Sequence, residues 1–277
     1  RFTLLRDAFF AGEGDLGAME AAWKDGFERL QLKGEAPVGL FAEIRRHEDL
    51  ATLATWAAHL DRLALPDLRA WQVYRIGRAR ADGGPVDALL DPLTLTIPGP
   101  DGRPLPVELH GRLLPLAPDR GAALRCLPAS AASEKHFLPG FLNLVALSAA
   151  GVELPEVLRV LVLPTGDAGP AALERRYAVP PRAVCQQWFA DVVGDLLTEV
   201  HDYRLPIETV LEWHEELRWR PYARPFIRRN SRDHPNSSQI GPVRTPEAFD
   251  LPPVEQARAM MNRRLGLWFQ AQERARG

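Results

Sequence analysis

The chain has 277 residues, of which 46% are apolar and 25% are charged, a composition typical of a globular protein with a buried core. Its net charge of -2 gives no overall attraction for DNA or for an anionic membrane, so any nucleic-acid surface has to be local. The two cysteines, Cys126 and Cys185, are too few for a disulfide framework or a cysteine zinc site. This cysteine content predicts a cytoplasmic location, and the lack of any apolar run of about 18 residues predicts no membrane span.

The first quarter of the chain, residues 1–66, is predicted to be a helical lead-in. Apolar residues recur at helical spacing over residues 2–10, 16–30 and 40–63, and Pro66 ends the third helix. Residues 1–277 are expected to form a single domain that begins with this lead-in.

Residues 67–217 are predicted to form a sheet-and-helix core. Short β-prone runs punctuated by Pro, Gly and Asp predict strands at residues 71–76, 93–97, 105–116, 122–127 and 157–163. Helices are predicted at residues 132–149 and 181–201. Between two of the strands, residues 98–102 have the composition of a hairpin turn, in which Gly102 is free to take a positive φ. The expected fold class is α/β (α+β), a mixed β-sheet flanked by helices.

The last part, residues 218–277, is predicted to be an Arg- and Pro-rich loop followed by a final helix over residues 254–272. The segment from Arg218 to Arg244 contains seven arginines with interleaved aromatic residues and a single acid, Asp233. Guanidinium groups pair with phosphates and planar rings stack on bases, so the loop suits single-stranded nucleic acid. Packing of the loop on the core and docking onto an acidic partner are alternatives. The candidate DNA-binding residues are Arg218, Trp219, Arg220, Arg224, Arg228 and Arg229.

Two other motifs are weaker. Residues 12–17 match a dinucleotide-binding glycine pattern, but a helix precedes them and the acids Glu13 and Asp15 would repel phosphate, which favours a turn capped by Asp15. The acids and histidines between Glu199 and Glu216 are of metal-liganding type, but their spacing favours caps and ion pairs. We therefore expect no cofactor and no metal site.

Several stretches, in order, resemble the C-terminal part of RecC, the gamma subunit of exodeoxyribonuclease V. They are residues 5–13, 34–44, 109–113, 123–128, 137–151 and 180–205. The resemblance spans nearly the whole chain, and it rests on the order and spacing of motifs that are individually weak. It implies a degenerate PD-(D/E)xK nuclease-like fold at the end of a longer subunit.

In active relatives of that fold, an Asp follows a G-x-I strand and an (Asp/Glu)-x-Lys lies on the next strand, and together they hold magnesium. The resemblance places the first position at Leu114 and the others at Arg125, Cys126 and Leu127. Independently of any alignment, the chain's lysines are preceded two residues earlier by Ala22, Gln31 and Ser133, so it contains no (Asp/Glu)-x-Lys. A sheet that keeps its packing and has lost its catalytic centre is therefore expected.

The resemblance implies a non-catalytic domain that scaffolds the helicase subunits RecB and RecD and guides DNA strands during double-strand break repair. Two alternatives stay open. In the first, the chain is an active nuclease whose metal ligands come from the segment Glu199 to Glu216. In the second, it is an interaction domain that binds only protein.

Overall fold

The computed structural model of the protein describes residues 2–65, 68–69, 71–78, 86–99, 101–117, 121–198 and 254–275. The helices in these segments are α1 (Phe2–Ala11), α2 (Leu16–Leu32), α3 (Leu40–Arg62), α4 (Leu138–Ala150), α5 (Pro170–Leu173), α6 (Arg182–Thr198) and α7 (Val254–Arg274). The strands are β1 (Gln72–Ile76), β2 (Ala88–Leu90), β3 (Leu93–Pro98), β4 (Pro104–Leu109), β5 (Gly111–Ala117), β6 (Ala122–Cys126), β7 (Val157–Leu163) and β8 (Glu174–Ala178). A 3₁₀ turn, Glu134–His136, precedes α4.

Six strands form one mixed sheet in the order β2-β1-β5-β6-β7-β8, and β3 pairs with β4 separately. Strands β1, β5 and β6 run antiparallel to one another in turn, β6 and β7 are parallel, and β8 returns antiparallel to β7. Strands β1, β6 and β7 therefore finish at the same end of the sheet, where β5 and β8 begin. We call this the β6 C-terminal end.

Helices cover both faces of the large sheet, because its central strands bury alternate residues on opposite sides. On β7, Leu161 and Leu163 pack in a cluster with side chains of α1, α2 and α3. Val160 and Val162 pack on the other side with side chains of α4, the β3–β4 hairpin and α7. The predicted mixed sheet with flanking helices is therefore confirmed.

The helical lead-in forms as the apolar spacing predicts. Its three helices, α1 to α3, bury Phe9, Met19 and Trp56 in one cluster on the sheet. Asp15 caps α2, because its carboxylate accepts a hydrogen bond of 2.7 Å from the backbone N–H of Ala18. The glycine-rich turn thus connects two helices, as expected from its acidic residues.

The β3–β4 hairpin is also as predicted, with Gly102 at a φ of 75° in the turn. The single strand predicted over residues 105–116 is wrong. At His110 the chain leaves the hairpin as β4 and enters the large sheet as β5. The helix predicted from residue 132 begins later, at Leu138, because the 3₁₀ turn takes its first residues.

Helix α4 lies very close to β7 at Gly140. A Cβ atom added to Gly140 would lie 2.3 Å from Cγ1 of Val160, well inside contact distance. Glycine therefore permits the helix to approach the strand, and this approach places the segment that leads into α4 against the end of β6.

The substitution Gly140→Ala is expected to lower the free energy of unfolding by about 1 to 3 kcal/mol, because a methyl group would overpack this contact. Adding Val160→Ala should recover part of the loss, which urea denaturation of both single variants and the double variant would measure. The matched control is Gly266→Ala in α7, where an added Cβ meets nothing within 4 Å. A Gly140→Ala variant as stable as Gly266→Ala would contradict the close approach.

Candidate functional site

The pairing of strands β5 and β6 stops short of the β6 C-terminal end, where Leu114 and Arg125 lie. Within these two described strands the paired residues are Leu116 with Ala123 and Ala117 with Ala122. Leu114 and Arg125 each lie two residues beyond the first of these pairs, toward the open end. The structure therefore brings these two positions to adjacent strands on either side of the separation.

The backbone of Leu114 is bound by a side chain instead of by strand β6. Asn143 of α4 is buried, and the amide orientation that satisfies both of its groups places its oxygen 2.6 Å from Leu114 N. Its nitrogen then donates to the carbonyl oxygen of Pro139 at 3.2 Å. A buried N–H without a partner would cost about 1 to 3 kcal/mol, so Asn143 offsets the pairing that the separated strands lose.

Arg125 is half-buried on the other strand, and its guanidinium reaches the turn before α4. Its Nη1 donates to the carbonyl oxygen of His136 at 3.1 Å. Burial lowers the pKa of Arg125 below its ordinary value. No carboxylate among the described residues forms an ion pair with it, whereas Arg159 and Arg175, which are also half-buried, each have one.

Arg175 of β8 is such a paired arginine at the same turn. It forms an ion pair with Glu134, to which its Nε donates at 2.8 Å, and its guanidinium lies 4.7 Å from the centre of the Phe137 ring. A further donor of Arg175 binds the carbonyl oxygen of Ala171 at 2.7 Å. The 3₁₀ turn Glu134–His136 is therefore held between one neutralised guanidinium and that of Arg125.

The two positions after Arg125 are part of the core. Cys126 is buried against the helical lead-in, and burial raises the pKa of its thiol, which favours the protonated and unreactive form. Leu127 is buried on the opposite face, and its N–H donates to the carbonyl oxygen of Leu163 at 2.8 Å. Neither side chain lies at an open site.

A buried histidine ties this end of the sheet to the helical lead-in. His59 of α3 lies 3.0 Å, through Nε2, from the carbonyl oxygen of Gly166 in the loop after β7, which fixes Nε2 as the protonated nitrogen. Its Nδ1 is buried and has no partner among the described residues. Burial lowers the pKa of His59, and the Gly166 carbonyl opposes only part of this effect. Beside it, Arg62 forms an ion pair with Asp167.

A groove of about 390 Å³ lies beside β8, lined in part by Glu174, Arg176 and Gln272. Glu174 accepts hydrogen bonds from Arg159 at 2.6 Å and from Arg176 at 2.8 Å. Burial would raise the pKa of Glu174, but these two arginines lower it overall. Its carboxylate is thus an ionised partner of cations, which does not suit a general acid.

The DNA-binding candidates Arg218, Trp219, Arg220, Arg224, Arg228 and Arg229 lie outside the described residues, as does the cluster from Glu199 to Glu216. Their predicted roles stay predictions. Within the part of the chain that the structure describes, no three His, Cys, Asp or Glu side chains come together as a possible metal site. Among the described helices, none combines the length and apolar character that crossing a membrane requires.

No family model, curated protein or solved structure matches this chain.

Sequence reasoning missed Asn143 and His59 as residues of this region. Asn143 is the one amide in helix α4, whose other polar side chain is Ser148, and His59 lies on the buried face of α3. A polar residue at a buried helical position is a usable signal, since it has to find a hydrogen-bond partner. The sequence alone does not say which partner that is.

We expect the free energy of unfolding to fall as the pH falls below roughly 6.5, the ordinary pKa of histidine. The unfolded chain binds a proton on His59 in that range, whereas the folded chain resists it, so acid favours unfolding. The variant His59→Gln, whose amide can still donate to Gly166, should show a weaker pH dependence in urea denaturation at about pH 7.5 and about pH 5.

The control for this experiment is His47→Gln, which changes an exposed histidine on the same helix. It should retain the pH dependence of the parent chain. Equal pH dependence in the parent chain and in His59→Gln would show that the buried ring does not control stability.

Proposed function

We propose that the chain is a non-catalytic C-terminal domain of the RecC type, which scaffolds helicase subunits and guides DNA strands during double-strand break repair. One observation carries the proposal. Leu114 and Arg125 lie on adjacent, separating strands, at the positions where the resemblance requires metal-binding acids.

The order of elements supports the nuclease-like origin of the sheet. Helix α3 leads into β1, β5 and β6, which run antiparallel in turn, and α4 then connects β6 to the parallel strand β7. The Gly111–Ala117 strand and the strand that carries Arg125 are neighbours, as the resemblance implies for the two halves of the catalytic centre.

The chemistry of these positions does not fit magnesium. Mg²⁺ requires oxygen ligands in a nearly octahedral arrangement, and Leu114 supplies no side-chain oxygen. Arg125 adds a fixed positive charge that would repel a divalent cation. The space behind Leu114 is occupied by the Asn143 amide, which already bonds the Leu114 N–H.

An exposed apolar corner supports the scaffolding part of the proposal. The end of α2 and the start of α3 expose Leu32 at 89%, Leu40 at 74% and Phe41 at 72%, with Val38 and Ile44 beside them. Gln31 Nε2 donates to the carbonyl oxygen of Pro37 at 2.7 Å, which links the end of α2 to the segment before α3. Several exposed large apolar side chains at one corner are typical of a protein interface.

We expect the purified chain to leave linear duplex DNA and single-stranded DNA intact in the presence of Mg²⁺ or Mn²⁺. Calorimetric titration with either ion should give no binding heat, because the acids of the centre are replaced. Gel electrophoresis of end-labelled DNA measures the cleavage.

The contrary result is Mg²⁺-dependent degradation that disappears on substitution of a carboxylate. Glu208→Gln and Glu212→Gln are the variants that address the cluster from Glu199 to Glu216. Loss of activity in either would establish the alternative of a nuclease with rearranged ligands.

The double variant Leu32→Ser and Phe41→Ser is expected to recover much less RecB- or RecD-type helicase subunit in co-purification than the parent chain. A buried aromatic anchor contributes about 2 kcal/mol or more to an interface, which corresponds to a loss of more than tenfold in affinity. Folding stability should change little, because both side chains are exposed.

Leu196→Ser is the matched control, since Leu196 is an exposed leucine at 60% on α6. It should leave recovery of the helicase subunits unchanged. Equal recovery by all three proteins would remove the corner from the proposed interface.

A further inference from the structure

The charge of Arg125 has no counter-ion among the described residues. Its one hydrogen bond to a described residue goes to a carbonyl oxygen, that of His136. A guanidinium has five N–H donors, and a half-buried one is stabilised when an anion completes its bonding. None of its nitrogens is a buried atom without a partner, so its remaining donors are open to solvent.

The neighbouring arginines do not share the site of Arg125. Arg75 of β1 lies at the same end of the sheet but on its other face, because Tyr74 and Ile76 on either side of it pack in the cluster that contains α4. Arg175 lies at the turn that Arg125 contacts, but Glu134 neutralises it. Arg125 is therefore the arginine at this turn whose charge no described carboxylate balances.

We propose that Arg125 binds a backbone phosphate of nucleic acid at the β6 C-terminal end, beside the turn that precedes α4. The inference rests on the proposed function and deepens it, because it assigns a DNA-contacting group separate from the loop of Arg218 to Arg229. The site takes an anion where an active relative would take a cation.

The favoured ligand class is a phosphodiester. A guanidinium fork matches two phosphate oxygens, and the strand guidance proposed above would bring a chain of phosphates to this domain. A carboxylate on a partner subunit would satisfy the same fork, and the experiment distinguishes the two sources. The apolar Leu114 opposite Arg125 leaves the guanidinium as the recognition group.

The test is a fluorescence anisotropy titration of the full 277-residue chain with a fluorescein-labelled oligothymidylate at several salt concentrations. Arg125→Gln is expected to weaken binding about tenfold, since a charge-assisted hydrogen bond and one phosphate contact are lost. The slope of log K against log salt should decrease by about 0.7, the value for one phosphate of a single strand. Arg125→Lys should retain the slope and bind with intermediate affinity, because it keeps the charge and loses the fork.

Arg29→Gln is the matched control, because it removes one positive charge from an exposed position on α2. It should leave affinity and slope near those of the parent chain. Urea denaturation of each variant checks its folding. If Arg125→Gln does not fold, the affinity of Arg125→Lys is compared with that of the parent chain instead.

The outcomes separate this inference from the proposed function. If the parent chain binds the oligonucleotide and Arg125→Gln binds it equally well, the phosphate site is overturned while DNA guidance by other residues stands. If the parent chain binds no DNA, the DNA-guiding part of the proposed function fails together with the site. Unchanged DNA affinity with loss of a co-purifying helicase subunit would assign Arg125 to a partner carboxylate and overturn the site.

Discussion

The parallel pairing of β6 with β7 is the constraint on which the rest of the structure depends. The two strands pair continuously from Ala122 with Arg159 to Cys126 with Leu163, and parallel strands require a crossover, which α4 supplies. Because both faces of this pair are buried, each of the two helical layers packs against it. Loosening the pair would therefore expose the lead-in and the opposite layer together.

The same pairing organises the β6 C-terminal end. The loops after β6 and β7 leave the sheet side by side, and Thr165 N donates to the carbonyl oxygen of Ala129 at 2.9 Å. His59 attaches the second loop to α3, and Arg125 attaches the end of β6 to the turn before α4. Strand β5 pairs with β6 only at its far end, and Asn143 of α4 binds its backbone at Leu114.

Elements with a clear apolar pattern were predicted from the sequence. Strands whose formation depends on pairing with a neighbouring strand were missed. The run Val157–Leu163 is apolar except for Arg159 and was predicted with its observed bounds. Strand β8 was missed because Glu174, Arg175 and Arg176 give it a polar composition, and its place comes from pairing with β7 and from ion pairs. Strand β2 has three residues, too few for a periodic signal. The resemblance named Leu114 and Arg125, whose assigned role stays a prediction, whereas the Asn143 bond to Leu114 depends on a contact between distant segments that no local pattern encodes.

If the proposed function is correct, the residues now at the metal-binding positions, Leu114 and Arg125, explain why the fold is stable without an ion. Several carboxylates on adjacent strands repel one another unless a cation lies between them, so their loss together removes the need for metal. Leu114 introduces no charge, and Asn143 satisfies the backbone N–H that the separated strands leave open. Arg125 gives the site a positive charge in place of a negative one. Its pKa is lowered because the guanidinium is partly buried. A bound anion would pair with this charge and so stabilise the folded chain. On the proposed function, a domain that has lost its metal site would therefore bind a phosphate at Arg125.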